Sequence, residues 1–111
     1  MEFSEKTEGT VAVIYLCGRL DAYAANDVEQ KLNSLTAAKQ VHLVLNLKKL
    51  EYLSSSGLRV LLATLKRATK HQGDIRLACV QPSVKDVFDI AGFTQFFKMY
   101  DEEEDAINSY Q

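Results

Sequence analysis

The stretch VHLVLNLKKLEYLSSSGLRVLLATLKRATKHQGDIRLACV, Val41–Val80, decides how this chain folds. It opens on VHLVLNL (Val41–Leu47), where Val41, Leu43, Leu45 and Leu47 share one face and Val44 takes the other, the pattern of a well-buried strand. It closes on DIRLACV (Asp74–Val80), a second strand. Between them lies SGLRVLLATLKRATKHQG, in which Leu58, Leu61, Leu62 and Leu65 recur at i, i+3, i+4 and i+7. That spacing predicts a helix with one apolar stripe. Lys66, Arg67, Lys70 and His71 crowd its final turns, where the negative end of the helix dipole favours cations, and Gly73 suits its C-cap. Strand, helix, strand implies a parallel crossover onto one sheet.

The flanking segments extend the same order. Upstream, TVAVIYLCG (Thr10–Gly18) is β-rich and apolar on both faces, as a central strand requires. A short strand near Met1–Lys6 can precede it and form an antiparallel hairpin around Glu8–Gly9. Asn26–Gln40 carries Val28, Leu32 and Leu35 at helical spacing, and Asn26 with Glu29 three residues on resembles a capping box. Downstream, Pro82 opens a helix, PSVKDVFDIAG, with Val84, Val87, Phe88 and Ala91 inward and Gly92 at its end. FFKMY reads as a final short strand, and Asp101 and Glu104 can cap a last helix reaching Tyr110. The expected fold is α/β, a mixed sheet of four or five strands with about four helices mainly on one side.

The chain has 111 residues, which suits one compact domain, residues 1–111. A net charge of −2 gives no basic excess of the kind a nucleic-acid surface needs. Cys17 and Cys79 are the only cysteines, and both lie in apolar runs, as core thiols of a reducing compartment would. The polar start, MEFSEKTEGT, lacks the apolar region of a signal peptide, and no apolar run approaches the roughly 20 residues of a membrane span. A cytoplasmic protein without membrane insertion is expected.

Three serines, Ser54, Ser55 and Ser56, join the apolar run to the helix. A side-chain oxygen is wanted there for the free N–H groups of the first turn, and Ser55 or Ser56 can supply it. Capping accounts for one serine of the three, and it does not explain an apolar group, Leu58, exposed beside the turn. Phosphorylation is the other reading. A phosphate adds about 1.5–2 negative charges where the helix dipole favours an anion, so surface charge changes while the fold survives. Gly57 then leaves the hydroxyl unshielded and gives another backbone room to approach.

Other chemistry finds little support. His42 and His71 stand alone without a partner at metal-ligand spacing, and both read as structural. SSSG is not a nucleophile elbow, and no histidine is placed to activate a serine. No glycine-rich phosphate loop with its lysine is present, and DEEED (Asp101–Asp105) reads as a solvated helix start. No enzyme, metal or cofactor is expected.

From Leu50 to Phe93 the chain resembles the STAS domain of bacterial anti-sigma factor antagonists: an Asp-Ser-Ser-Gly-Leu or Asp-Ser-Thr-Gly-Leu turn, a helix, a Gly, a strand and a Pro-led helix ending near a Gly. LCGRLDAYAANDVEQKL upstream resembles the family's Gly-x-Leu-Asp segment, and the likeness spans about residues 5–108. The resemblance implies a STAS-like fold and a binding module that associates, when unphosphorylated, with an anti-sigma factor having serine kinase activity and so releases the sigma factor. It implies Ser56 as the phosphorylated residue, with Ser55 second, and a serine phosphatase that resets it. Asp21, Tyr23, Leu53, Ser54, Ser55, Gly57 and Leu58 are the implied partner-binding positions, with the exposed side of the helix. Ser54 departs from the family pattern, which has aspartate there, whereas Asp21 matches. That departure leaves an alternative, a non-switching STAS subunit of a transport or stress-signalling complex.

Overall fold

The computed structural model describes residues 1–111. Strands β1 (Glu2–Glu8) and β2 (Val11–Leu20) form an antiparallel hairpin turning at Gly9, whose φ of +61° suits glycine. There follow α1 (Ala22–Ala37), β3 (His42–Asn46), β4 (Leu50–Leu53), α2 (Ser55–Lys70), β5 (Asp74–Ala78) and α3 (Pro82–Ala91). A 3₁₀ turn (Thr94–Phe96), β6 (Lys98–Tyr100) and α4 (Glu103–Asn108) complete the chain.

The sheet runs β1-β2-β3-β5-β6, and every pair after the first is parallel. β2 is 10 residues long and serves two partners in succession on one side. Val11–Tyr15 pair with β3, and beyond a bulge at Gly18/Arg19 the residues Arg19 and Leu20 pair with Tyr52 and Leu53 of β4. Gly18 takes φ +101° at the bulge and donates its N–H to Lys49 O at 2.9 Å. β4 makes six strands in all, against the four or five expected. Its four residues are too few to show a period, and its middle pair, Glu51 and Tyr52, is exposed.

Ala12, Ile14 and Leu16 of β2, Leu43 and Leu45 of β3, and Ile75 and Leu77 of β5 point to α1, α2 and α3 and form a core of 22 buried residues. Val11, Val13, Val44 and Ala78 point the other way, where Ala106 and Ile107 of α4 cover them. Three helices therefore share one face and the shortest closes the other. The dual burial explains why β2 and β3 are apolar on both faces.

Several local expectations need correction. α1 begins at Ala22, four residues before Asn26, and Asp21 caps it, so Asn26 and Glu29 form no capping box. α4 starts at Glu103 and stops at Asn108, and Glu102 at its N-cap position makes no side-chain capping bond; neither Asp101 nor Glu104 holds that position. Cys17 and Cys79 are half-buried free thiols rather than full core residues. Cys17 lies on β2 and Cys79 just past the end of β5, with β3 between those two strands, and the two thiols are not joined. His42 stacks on Tyr110 at 5.0 Å, and His71 is the C-cap residue of α2.

Candidate functional site

β2 and β4 run parallel and end together, with Leu20 opposite Leu53. The next residue on each strand, Asp21 and Ser54, is the N-cap of the helix that follows. Asp21 Oδ1 accepts the Ala24 N–H at 3.1 Å, and Ser54 Oγ accepts the Gly57 N–H at 3.1 Å. The Ser54 N–H donates to Leu20 O at 2.9 Å and ties the two ends to each other. Helices α1 and α2 thus start side by side at the carboxyl edge of parallel strands, the edge at which open α/β sheets place their sites.

The cap is Ser54, not Ser55 or Ser56. This assignment settles what the three hydroxyls do inside the fold. Ser54 is committed to the first turn, while the hydroxyls of Ser55 and Ser56 make no hydrogen bond within the chain. Ser55, the first residue of α2, is exposed, and Ser56, the second, is half-buried. Serine and aspartate are nearly equivalent as N-caps. Ser54 therefore fulfils the structural task that aspartate at this position would fulfil.

Gly57 and the two leucines behave differently from expectation. A Cβ on Gly57 would stand 2.6 Å from Leu20 Cγ, 3.0 Å from Leu20 O and 3.0 Å from Leu53 Cδ1. The missing side chain lets α2 sit against the ends of its own strands, so the space serves the fold rather than an approaching backbone. Leu53 and Leu58 are each 3% exposed and belong to the core; Leu58 is not an exposed group beside the turn. Their part in the site is to hold the turn from beneath.

The exposed rim is aromatic and charged. Tyr23 on the first turn of α1 is 95% exposed. Tyr52 is partly exposed, and the Arg19 guanidinium lies 4.2 Å from its ring centroid, a cation–π contact across the β2–β4 pair. A groove of about 510 Å³ lies between β1, the end of β2 and α1, and its lining includes Phe3, Arg19, Asp21, Tyr23, Asp27 and Lys31. Arg19 and Tyr52 escaped the sequence reading because their pairing depends on β4. The alternation of exposed Arg19 with buried Leu20 was the available signal.

Neither histidine is near the serines. His42 begins β3 at the opposite edge of the sheet, and His71 lies beyond the far end of α2. No group of three or more His, Cys, Asp or Glu side chains is arranged to hold a metal ion. No helix is long and apolar enough to cross a membrane. What the arrangement offers is a rigid helix start with two free hydroxyls, one neighbouring carboxylate and exposed aromatic and basic groups around it.

Comparison with known proteins agrees with this geometry. The STAS domain family model matches residues 3–106. A Bordetella bronchiseptica protein provisionally named anti-sigma factor antagonist BtrV is 31% identical over 96% of this chain and 91% of its own. The anti-sigma F factor antagonist of Paenibacillus polymyxa is 29% identical over 91% of this chain and 87% of its own. Among solved structures, the anti-sigma factor antagonist SpoIIAA in its unphosphorylated form superposes with a TM-score of 0.79 at 25% identity, covering 98% of this chain and 97% of that one. The Bacillus cell fate determinant SpoIIAA in its phosphorylated form gives 0.78 at 22% identity, covering 99% and 100%.

Proposed function

The chain belongs to the STAS domain family, and from that premise we propose that it is an anti-sigma factor antagonist switched by phosphorylation of Ser56. In the unphosphorylated state it binds an anti-sigma factor that is also a serine kinase, and the sigma factor is released. The kinase transfers the γ-phosphoryl group of ATP to Ser56 Oγ, the hydroxyl proton leaves to a base, and ADP departs. A serine phosphatase restores the hydroxyl. The chain acts by binding in the bacterial cytoplasm and catalyses nothing itself.

One observation carries this reading. Ser54 supplies the cap, so the Ser55 and Ser56 hydroxyls stay free of hydrogen bonds at an accessible helix start. Phosphate on Ser56 would add about 1.5–2 negative charges there without removing any contact that holds the turn. In this reading the partner meets Asp21 and Ser54, which cap the two neighbouring helix starts, and Tyr23 and Ser55, which are exposed on the first turns, while Leu53, Gly57 and Leu58 pack beneath the serine turn. The relatives named anti-sigma factor antagonists, and the two forms in which SpoIIAA is known, support the same switch.

The test is incubation with the kinase-type anti-sigma factor of the same organism and ATP, followed by site mapping by mass spectrometry. A single phosphate on Ser56, absent from Ser56→Ala, is the expected result. A folded protein that binds this partner and is never phosphorylated would replace the switch with the non-switching subunit.

A further inference from the structure

Helix α2 carries four of the chain's 13 Lys and Arg residues, Arg59, Lys66, Arg67 and Lys70, and none of its 15 Asp and Glu residues. The other helices are mixed or acidic: α1 holds Asp27, Glu29 and Lys31, α3 holds Lys85, Asp86 and Asp89, and α4 opens on Glu103, Glu104 and Asp105. A single-sign helix face in a chain of net charge −2 is a local feature. None of its four cations forms an ion pair; the pairs present involve Lys6, Arg76 and Lys85. The helix dipole accounts for Arg67 and Lys70 in the last turn. It gives no reason for Arg59, which stands near the opposite, positive end.

The far end of this face has a defined shape. Arg67 lines a groove of about 300 Å³ between the ends of α1 and α2, with Asn33, Thr36, Ala37, Lys70 and His71. Its Nη2 donates to Thr64 Oγ1 at 3.0 Å, whereas its Nε is buried and has no acceptor. The guanidinium thus has no carboxylate partner within the chain, and a carboxylate seated in the groove would supply one. An adjoining groove of about 420 Å³ adds Lys39, and no acidic residue lines either one.

We propose that the outer face of α2 docks an acidic segment of the protein partner, with one partner carboxylate seated in the groove beside Arg67. The inference rests on the partner-binding role above and specifies the chemistry of the surface that the partner presents. Ser55, Arg59, Lys66 and Lys70 follow one another along the exposed side of the helix, about 22 Å from end to end. Arg59 lies three residues after Ser56 and four after Ser55, within helical pairing distance. A phosphate on Ser56 would therefore draw Arg59 away from the partner and place a like charge at the head of its track. The net negative charge and the absence of aromatic residues from α2 weigh against nucleic acid as the occupant.

The experiment titrates the ¹⁵N-labelled full chain at low salt with an acetylated dodecapeptide of alternating Asp and Glu, its Asn and Gln counterpart, and oligothymidine. The acidic peptide is expected to shift the amides of Asn33, Thr36, Arg59, Arg67 and Lys70, and the neutral peptide to shift none of them. Arg67→Gln with Lys70→Gln, and separately Arg59→Gln with Lys66→Gln, should weaken binding at least several-fold while keeping a dispersed amide spectrum. Lys48→Gln with Lys49→Gln, away from α2, should bind as the parent does. Shifts spread evenly over Lys6, Lys48 and Lys49, full affinity in both α2 double variants, or oligothymidine binding α2 as tightly would each overturn the proposal. No kinase or nucleotide enters the experiment, so a Ser56 that is never phosphorylated would defeat the switch and leave this result standing.

Discussion

At Ser54 the hydroxyl oxygen accepts the Gly57 N–H, so Ser54→Ala removes a cap and should cost about 1 kcal/mol in urea unfolding. Ser54→Asp keeps the capping oxygen and should leave stability near that of the parent. Phosphorylation rates measured against the parent separate two roles for this position: a cap alone leaves Ser54→Asp at the parent rate and slows Ser54→Ala, whereas a carboxylate that orients the acceptor hydroxyl or takes its proton raises Ser54→Asp above the parent. At Ser56 the expectation is different. Ser56→Asp places a carboxylate in the first turn, where the dipole tolerates it, so the fold should keep its stability. An unpaired charge in a desolvated interface costs several kcal/mol, so calorimetry with the anti-sigma factor should show affinity reduced by about 10²-fold or more. Equal affinities for the parent and Ser56→Asp would contradict the switch. Gly57→Ala tests packing alone: its Cβ would meet Leu20 Cγ at 2.6 Å, and overpacking of this kind should cost about 1–3 kcal/mol.

Between elements, the most informative joint ties β1, β2 and β3 to α4. Glu103 accepts a hydrogen bond from Asn46 Nδ2 at 3.0 Å and pairs with Lys6 Nζ at 3.1 Å. Burial by itself would raise the Glu103 carboxyl, but hydrogen bonds with Tyr15, Asn46 and Lys6 outweigh it and hold the pKa below the ordinary value. The charged form is thus favoured by folding, so its contribution is complete above the ordinary carboxylate pKa of about 4.3 and is lost as pH falls through the folded value. Urea unfolding at pH 7 and near pH 3.5 should show a smaller loss for Glu103→Gln than for the parent chain. An identical loss would mean that the pair is solvated and contributes nothing. The helices were legible one at a time. The stripe from Leu58 to Leu65 marked α2, and Pro82 and Gly92 bounded α3. The start of α1 was not legible, because Asp21 and Asn26 are both good caps. The pairing of β2 with β4 ends the strand at Leu20 and hands the role to Asp21.

For the whole molecule, the sheet has two covered faces of unequal depth. Ile107 is 5% exposed over the smaller core, with Val11, Val13 and Val44. Ile107→Ala should cost about 2–5 kcal/mol by thermal or urea unfolding, although it lies outside the serine turn. A loss below about 0.5 kcal/mol would show that α4 is peripheral to the cooperative unit. The order of every helix and strand except β4, the identity of the buried strands and the serine turn before α2 were all present in the sequence by itself. Each rests on local periodicity or on chain-breaking residues, which act within a few positions. The tertiary structure alone decided which serine caps α2, that Leu53, Gly57 and Leu58 face inward, and that Arg19 meets Tyr52. These depend on β4, four residues whose strand conformation is specified by pairing with β2, some 30 positions away, rather than by their own pattern. A period of two cannot be read over so short a segment, and a backbone hydrogen bond such as Ser54 N–H to Leu20 O exists only once the distant strand is in place.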